Sequence, residues 1–285
     1  MENTWYDLIV ASILVSKLEE AIRNIGDFGT NEPILSYVDY LLSIPKAIPR
    51  KIIRAKEFNC PDKVKGGLQI LERAILNGDS LLPWLSSKYT KRSGNEKDCL
   101  RHLFNVQHFH LGNDFNYSKK KERKIKRTGA LLYAYVTSHA VYELGIDLHG
   151  KWGDIRWQDI IMTNWPELIP RGTVLENIVD ITAPVPTAEE LYELTKLGIN
   201  TILNIGGKFV FPLGGGVTSS GRSEKAARLN IGIQRHLVRI EETLIQCGLT
   251  EEKLNNIPVI VDNDKFIIDR ELIFSFLPWE RPSPI

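Results

Sequence analysis

Cysteine is scarce in this chain: 285 residues hold three, Cys60, Cys99 and Cys247, and none stands in a C-x-x-C. That excludes a zinc ribbon, argues against a disulfide framework and fits a reducing, cytoplasmic setting. Long apolar runs are missing as well. The most apolar stretch, "WYDLIVASILV", is interrupted by Asp7 and followed by Lys17, Glu19 and Glu20. It is too short to span a bilayer and lacks the basic flank of a signal peptide, so no membrane partner is expected. No repeat of solenoid period and no low-complexity tract occurs. Familiar catalytic signatures are absent too: there is no G-x-S-x-G elbow, no H-E-x-x-H, no G-x-x-x-x-G-K-[ST] and no G-x-G-x-x-G.

Net charge is also small, at +1, but it is unevenly placed. Residues 119–127, "KKKERKIKR", carry seven basic side chains and one acidic, which is +6, leaving −5 for the rest of the chain. A near-neutral protein with one concentrated basic segment is set up to meet an anion at one place. Lys119, Lys120, Lys121, Arg123, Lys124, Lys126 and Arg127 are candidate nucleic-acid contacts, of the kind that hold a phosphate backbone without reading bases.

Directly before that segment lies "NVQHFHLGN", residues 105–113. Alternation and the Gly112-Asn113 stop predict a strand within "LFNVQHFHL". On a strand, residues two apart share a face, so His108 and His110 stand side by side with Phe109 opposite. "GALLYAYV" and "AVYELGIDLH" read as a hairpin turning at residues 137–139, which brings His149 toward the pair. Asp147 shares the face of His149 by the same rule. Imidazoles so placed can act as acid and base, since histidine titrates near neutrality. Alternatively, neutral imidazoles with Asp147 can ligate zinc or another divalent transition metal. His139 and His236 have no such company. H-x-H also opens the cupin pattern, but Leu111, Gly112, Asn113 and Asp114 stand where that pattern needs a glutamate.

A glycine-rich loop, "PLGGGVTSSGRSE", leads from a strand into a helix. It reads as a structural turn, with an anion cradle of Gly215, Gly216, Ser219, Ser220 and Arg222 as the alternative.

Periodicity and turn signals divide the chain into three parts and predict an α+β fold: a helical region over 1–92, an α+β core with a small, mainly antiparallel sheet over 96–180, and an α+β region over 187–285. "PDKVKGGLQILERAILNGD" is a helix opened by Pro61 and closed by Gly78. "TAEELYELTKLGI" begins with a capping box, Thr187 and Glu190. Hairpins are expected at Gly206-Gly207 and Asn263-Asp264.

The runs "GDSLLPWLSSKY", "DCLRHLFNVQHFHLGN", "RTGALLYAYV", "YELGIDLHGKW" and "LGINTILNIGGKFVFPLGGGVTSSG" resemble a set of bacterial proteins with an H-x-H-L-G strand, some near defence genes. The succession of strand, hairpin and terminal histidine is similar in layout to the RelE-like (BECR) toxin ribonucleases. Arg101 and His108 also fall within the loose R-x(4–6)-H pattern of HEPN ribonucleases. The likeness to the RelE-like toxins implies RNA cleavage without a metal through histidines and basic side chains. The expectation is therefore a metal-independent endoribonuclease of toxin or phage-defence type, with His108, His110 and His149 catalytic and no cofactor. A metal-dependent hydrolase with those histidines as ligands is one alternative. A non-catalytic defence or toxin–antitoxin protein, with an antitoxin or other protein partner, is another.

Overall fold

The computed structural model describes residues 12–28, 31–86, 98–117, 123–150, 152–176, 185–268 and 272–275, the last as backbone only. In chain order the elements are α1 (Ile13–Ile25), α2 (Pro33–Ser43), β1 (Lys51–Arg54), α3 (Asp62–Asn77), α4 (Cys99–Phe104), β2 (Val106–His110), β3 (Phe115–Tyr117) and β4 (Arg123–Ile125). There follow β5 (Ala130–Val136), β6 (Ala140–Leu148), α5 (Arg156–Asn164), α6 (Ala188–Lys196), β7 (Leu203–Ile205) and β8 (Lys208–Val210). The last elements are α7 (Glu224–Gln246), α8 (Glu251–Asn256), β9 (Val259–Asp262), β10 (Lys265–Ile268) and β11 (Leu272–Ser275). The fold is α+β, and among the described residues no helix is long and apolar enough to cross a membrane.

The chain forms two compact units whose division is not sequential. One combines 1–43, 91–96 and 226–285; the other combines 44–90 and 97–225. The three-part sequential reading differs from this because the N-terminal helices bury their apolar faces with C-terminal elements. Leu14, Leu18 and Ile22 on α1 and Ile34 and Val38 on α2 share a core with Leu237 on α7 and Phe266 and Ile268 on β10. The Glu241 carboxylate accepts from the Ser12 hydroxyl and the Leu14 N–H, each at 2.9 Å, so an anion sits at the N-terminus of α1 where free N–H groups favour it.

The second unit is built on a four-stranded sheet of order β1-β6-β5-β2, with β1 parallel to β6 and the other pairs antiparallel. β1 lies within a stretch the sequence analysis assigned to helices: a four-residue strand has too little periodicity to announce itself, and its partner is some ninety residues away. Each face of the sheet is covered. Val106, Leu131, Tyr133, Tyr142 and Leu144 pack with Trp157 and Ile161 of α5 and Leu191 of α6. Phe109, Leu132, Ala134 and Val141 pack on Val64, Leu68, Leu71 and Ile75 of α3. Each such buried side chain contributes about 1.5–3 kcal/mol. α3 closes at Gly78, which is left-handed at φ 77° and donates back to Ala74 and Ile75.

The predicted strand "LFNVQHFHL" is two elements. Asp98 caps a helix by accepting from the Arg101 N–H at 3.1 Å, and the helix runs to Phe104. Asn105 then adopts φ 55°, a left-handed stop that asparagine tolerates. The strand starts only at Val106. The hairpins at Gly206-Gly207 and Asn263-Asp264 and the Thr187–Glu190 capping box are present as expected.

Candidate functional site

β2 is buried along its whole length, yet two of its five residues are histidines. Alternation sorts them. Val106 belongs to the core under α5, and Phe109 to the core on α3, so His108 and His110 stand on the α5 side. Register agrees: His108 is opposite Tyr133 and His110 opposite Leu131, both of that side. Tyr133 is itself fixed, stacked on Trp157 at 4.1 Å and 11° and donating its hydroxyl to the Leu148 carbonyl.

β6 ends at Leu148, and the exposed His149 stands just past it. Gly150, at φ 106°, makes the turn that L residues avoid, and the chain comes back with Trp152. The three imidazoles form a nearly equilateral triangle: ring centroids are 6.1 Å apart for His108–His110, 6.2 Å for His108–His149 and 6.2 Å for His110–His149. Trp152 packs against two of them, 5.1 Å from His108 and 4.6 Å from His149.

His108 and His110 are 6% and 4% exposed, and the Nδ1 atoms of both are buried without a hydrogen-bond partner. Leaving a buried polar atom unsatisfied costs about 1–3 kcal/mol. Burial is the main cause that lowers all three imidazole pKa values. For His110 it acts with the charges of Arg127 and Lys124 and the neighbouring histidines, and the value falls to about 3. His108 is lowered against the opposing pull of Asp98, and His149 is lowered further by Arg127. At neutral pH the triangle is therefore a set of uncharged imidazoles in a positive field.

That field joins the histidines to the basic segment that follows them in the sequence. Arg127 acts on all three histidines, and Lys124 on His110. The described part of the segment belongs to a two-stranded ribbon. β3 pairs with β4 so that Tyr117 faces Arg123 and Asn116 faces Lys124, while the Arg123 guanidinium lies 3.5 Å over the Phe115 ring. Lys126 is exposed, and its N–H donates to the Asp114 carbonyl at 2.7 Å. Lys119, Lys120 and Lys121 lie outside the described residues, as do the first eleven residues and most of the 86–98 linker.

Gly112 sets the angle between β2 and this ribbon. A Cβ there would run into the carbonyl oxygen of Lys126, deep inside van der Waals contact. Gly112→Ala is therefore expected to lower stability by about 1–3 kcal/mol, read by urea denaturation, because the 126–127 segment must move off the sheet.

Asp147 shares the face but is otherwise engaged. Its carboxylate binds Arg156 at 2.6 Å and accepts from the Leu148 N–H at 2.7 Å. Among the described residues, no three His, Cys, Asp or Glu side chains converge as a metal cage. Three imidazoles on one tetrahedral ion, with nitrogens about 2 Å from it, would bring their centroids to about 5 Å. The observed triangle is about an ångström wider.

The glycine loop lies elsewhere. The Gly214 N–H donates to the Leu103 carbonyl at 2.7 Å and the Gly216 N–H to that of His102 at 2.9 Å, capping the C-terminus of α4. Gly215 donates to Pro212, Thr218 donates to the Arg222 carbonyl, and the Ser220 hydroxyl is shared with Thr218. The N–H groups of Gly214, Gly215, Gly216 and Thr218 thus point at carbonyls, as a structural turn requires. Arg101 and His108 stand on different elements, α4 and β2, and the Arg101 guanidinium donates to His102 Nε2 at 2.9 Å.

Trp152 is the site residue that sequence reasoning missed. Its only sequence signal was its place three residues past His149 in "HGKW", visible once the hairpin is drawn. A scan against protein-family models, a search of curated proteins and a search of solved structures each found no match to the chain.

Proposed function

We propose that the protein is a metal-independent endoribonuclease of toxin or phage-defence type, acting by transesterification at the His108–His110–His149 triangle. The observation that carries this is the triangle itself: two buried imidazoles with unpartnered Nδ1 atoms and one exposed imidazole, all within the field of Arg127. A phosphodiester offsets that field, and the depressed imidazole pKa values rise toward neutrality as it binds.

In this reading His110, under both Arg127 and Lys124, removes the proton of a ribose 2′-hydroxyl. The 2′-oxygen bonds to phosphorus as the P–O5′ bond breaks. His149, open to solvent, takes up a proton and delivers it to the departing 5′-oxygen. His108 donates an N–H to a nonbridging oxygen, and Arg127 and Lys124 offset the charge that builds there. The products are a 2′,3′-cyclic phosphate and a 5′-hydroxyl end.

The test is incubation with RNA in excess EDTA, beside DNA of the same sequence. RNA should be cut to cyclic-phosphate ends and DNA, which has no 2′-hydroxyl, left intact. Uncharged imidazoles also suit metal ligation, which supports a second reading as a metal-dependent hydrolase. About one tightly held transition metal per chain, together with loss of RNA cleavage in EDTA, would favour that reading over the first.

A further inference from the structure

Trp152 takes no part in the proton transfers, yet it closes one side of the triangle. Its indole meets His149 edge to face at 90° and His108 at a tilt of 59°. It is half-buried, packed on the core beneath α5 and next to the exposed His149. A second aromatic stands on the neighbouring ribbon, where Tyr117, 72% exposed, faces Arg123 across β3 and β4. Aromatic rings among cations at the mouth of a phosphate site are the composition that holds unpaired bases: cations follow the backbone and rings stack on base faces without regard to sequence.

We propose that the substrate is single-stranded RNA, bound with one base of the scissile step stacked on Trp152 and the strand continuing along the β3–β4 ribbon. This rests on the ribonuclease reading of the same histidines. Duplex RNA keeps its bases stacked on one another and shows a protein chiefly phosphates and 2′-hydroxyls. A base that reaches an indole seated against the sheet must be free of that stack. Attack in line with the 5′-oxygen makes the same demand, since the nucleotide has to splay.

The experiment uses the full chain, fluorescence anisotropy at low salt and a labelled 2′-O-methyl RNA of about ten nucleotides, which lacks the nucleophile and stays intact. The single strand should bind at least tenfold tighter than a duplex of the same sequence. Trp152→Leu should weaken single-strand binding about tenfold, the loss of roughly one stacked base, while Trp152→Phe, which keeps an aromatic face, should stay within about threefold of wild type. Equal affinity for duplex and single strand, or unchanged binding by Trp152→Leu, overturns the base platform and leaves the ribonuclease reading standing if RNA is still cut in EDTA. Absence of any RNA binding by the wild-type chain overturns both.

Discussion

Replacing His110 or His149 by alanine is expected to slow RNA cleavage in EDTA by about 10²–10⁴-fold, the usual contribution of a positioned proton-transfer group. His108→Ala should cost about 10²-fold, the scale of one lost donor to a developing oxyanion. The pH profile separates the roles. In the free protein the exposed His149 has its pKa lowered by burial and by Arg127, so kcat/KM should fall at a pH below the ordinary histidine value. In the complex the phosphate opposes Arg127, and the descending limb of kcat should lie at higher pH. His149→Ala should erase that limb. Coincident limbs for kcat and kcat/KM would sink the assignment of His149 as the acid.

The same variants weigh against the non-catalytic alternative. If the histidines served only a buried polar network, their nitrogens would have partners, and alanine would remove hydrogen bonds. The Nδ1 atoms of His108 and His110 have none, so the alanine variants give up imidazole packing alone. Melting temperatures should therefore drop modestly while activity collapses. The reverse pattern, a large thermal loss with an unchanged cellular phenotype, would support a binding protein.

The shared face of His108 and His110 was legible because it needs only a period of two, and the approach of His149 because a hairpin turn is a local signal. Where other forces decide, the sequence was less clear. Leu103 and Phe104 read as the start of the strand, but Asp98 supplies an N-cap and Asn105 a left-handed stop, and the six residues between them form a helix. "KIIR" and "LIFS" are four-residue strands whose existence depends on partners, one of them distant, and no local pattern carries that. The merging of the N-terminal helices with β10 is likewise a matter of which apolar faces meet, which periodicity leaves open. The strand within the basic run was not legible because charge hides strand propensity; the pairing of Phe115 with Ile125 is what makes it one arm of a ribbon.

Stability should respond to pH in two opposite ways within the sheet unit, and Glu143→Gln should expose one of them. Glu143 is wholly buried on β6. One carboxylate oxygen has no partner, and the other accepts from Arg54 at 2.9 Å, a guanidinium shared with Glu72. Burial, aided by the charge of Glu72 and opposed by Arg54, raises its pKa from 4.5 to about 7. The folded state therefore holds this proton more tightly than the unfolded chain does. Its contribution is fully present below pH 4.5 and is lost as pH rises through 7, on the order of 3 kcal/mol. His110 runs the other way. Its folded pKa of about 3 lies below 6.5, so its contribution is present above 6.5 and is lost as pH falls toward 3. Between pH 4.5 and 6.5 the Glu143 and His110 slopes oppose each other, while His108 and His149, lowered as well, add to the loss on the acid side. Glutamine cannot titrate, so in Glu143→Gln the histidine loss goes unopposed. On acidification from pH 7 to 4.5, that variant should lose about 3 kcal/mol more than wild type. Native-state hydrogen exchange at the β5 and β6 amides reads this locally, independent of the other unit. Parallel pH curves for the two proteins would mean that Glu143 is already ionised at pH 5 and that Arg54 outweighs its burial.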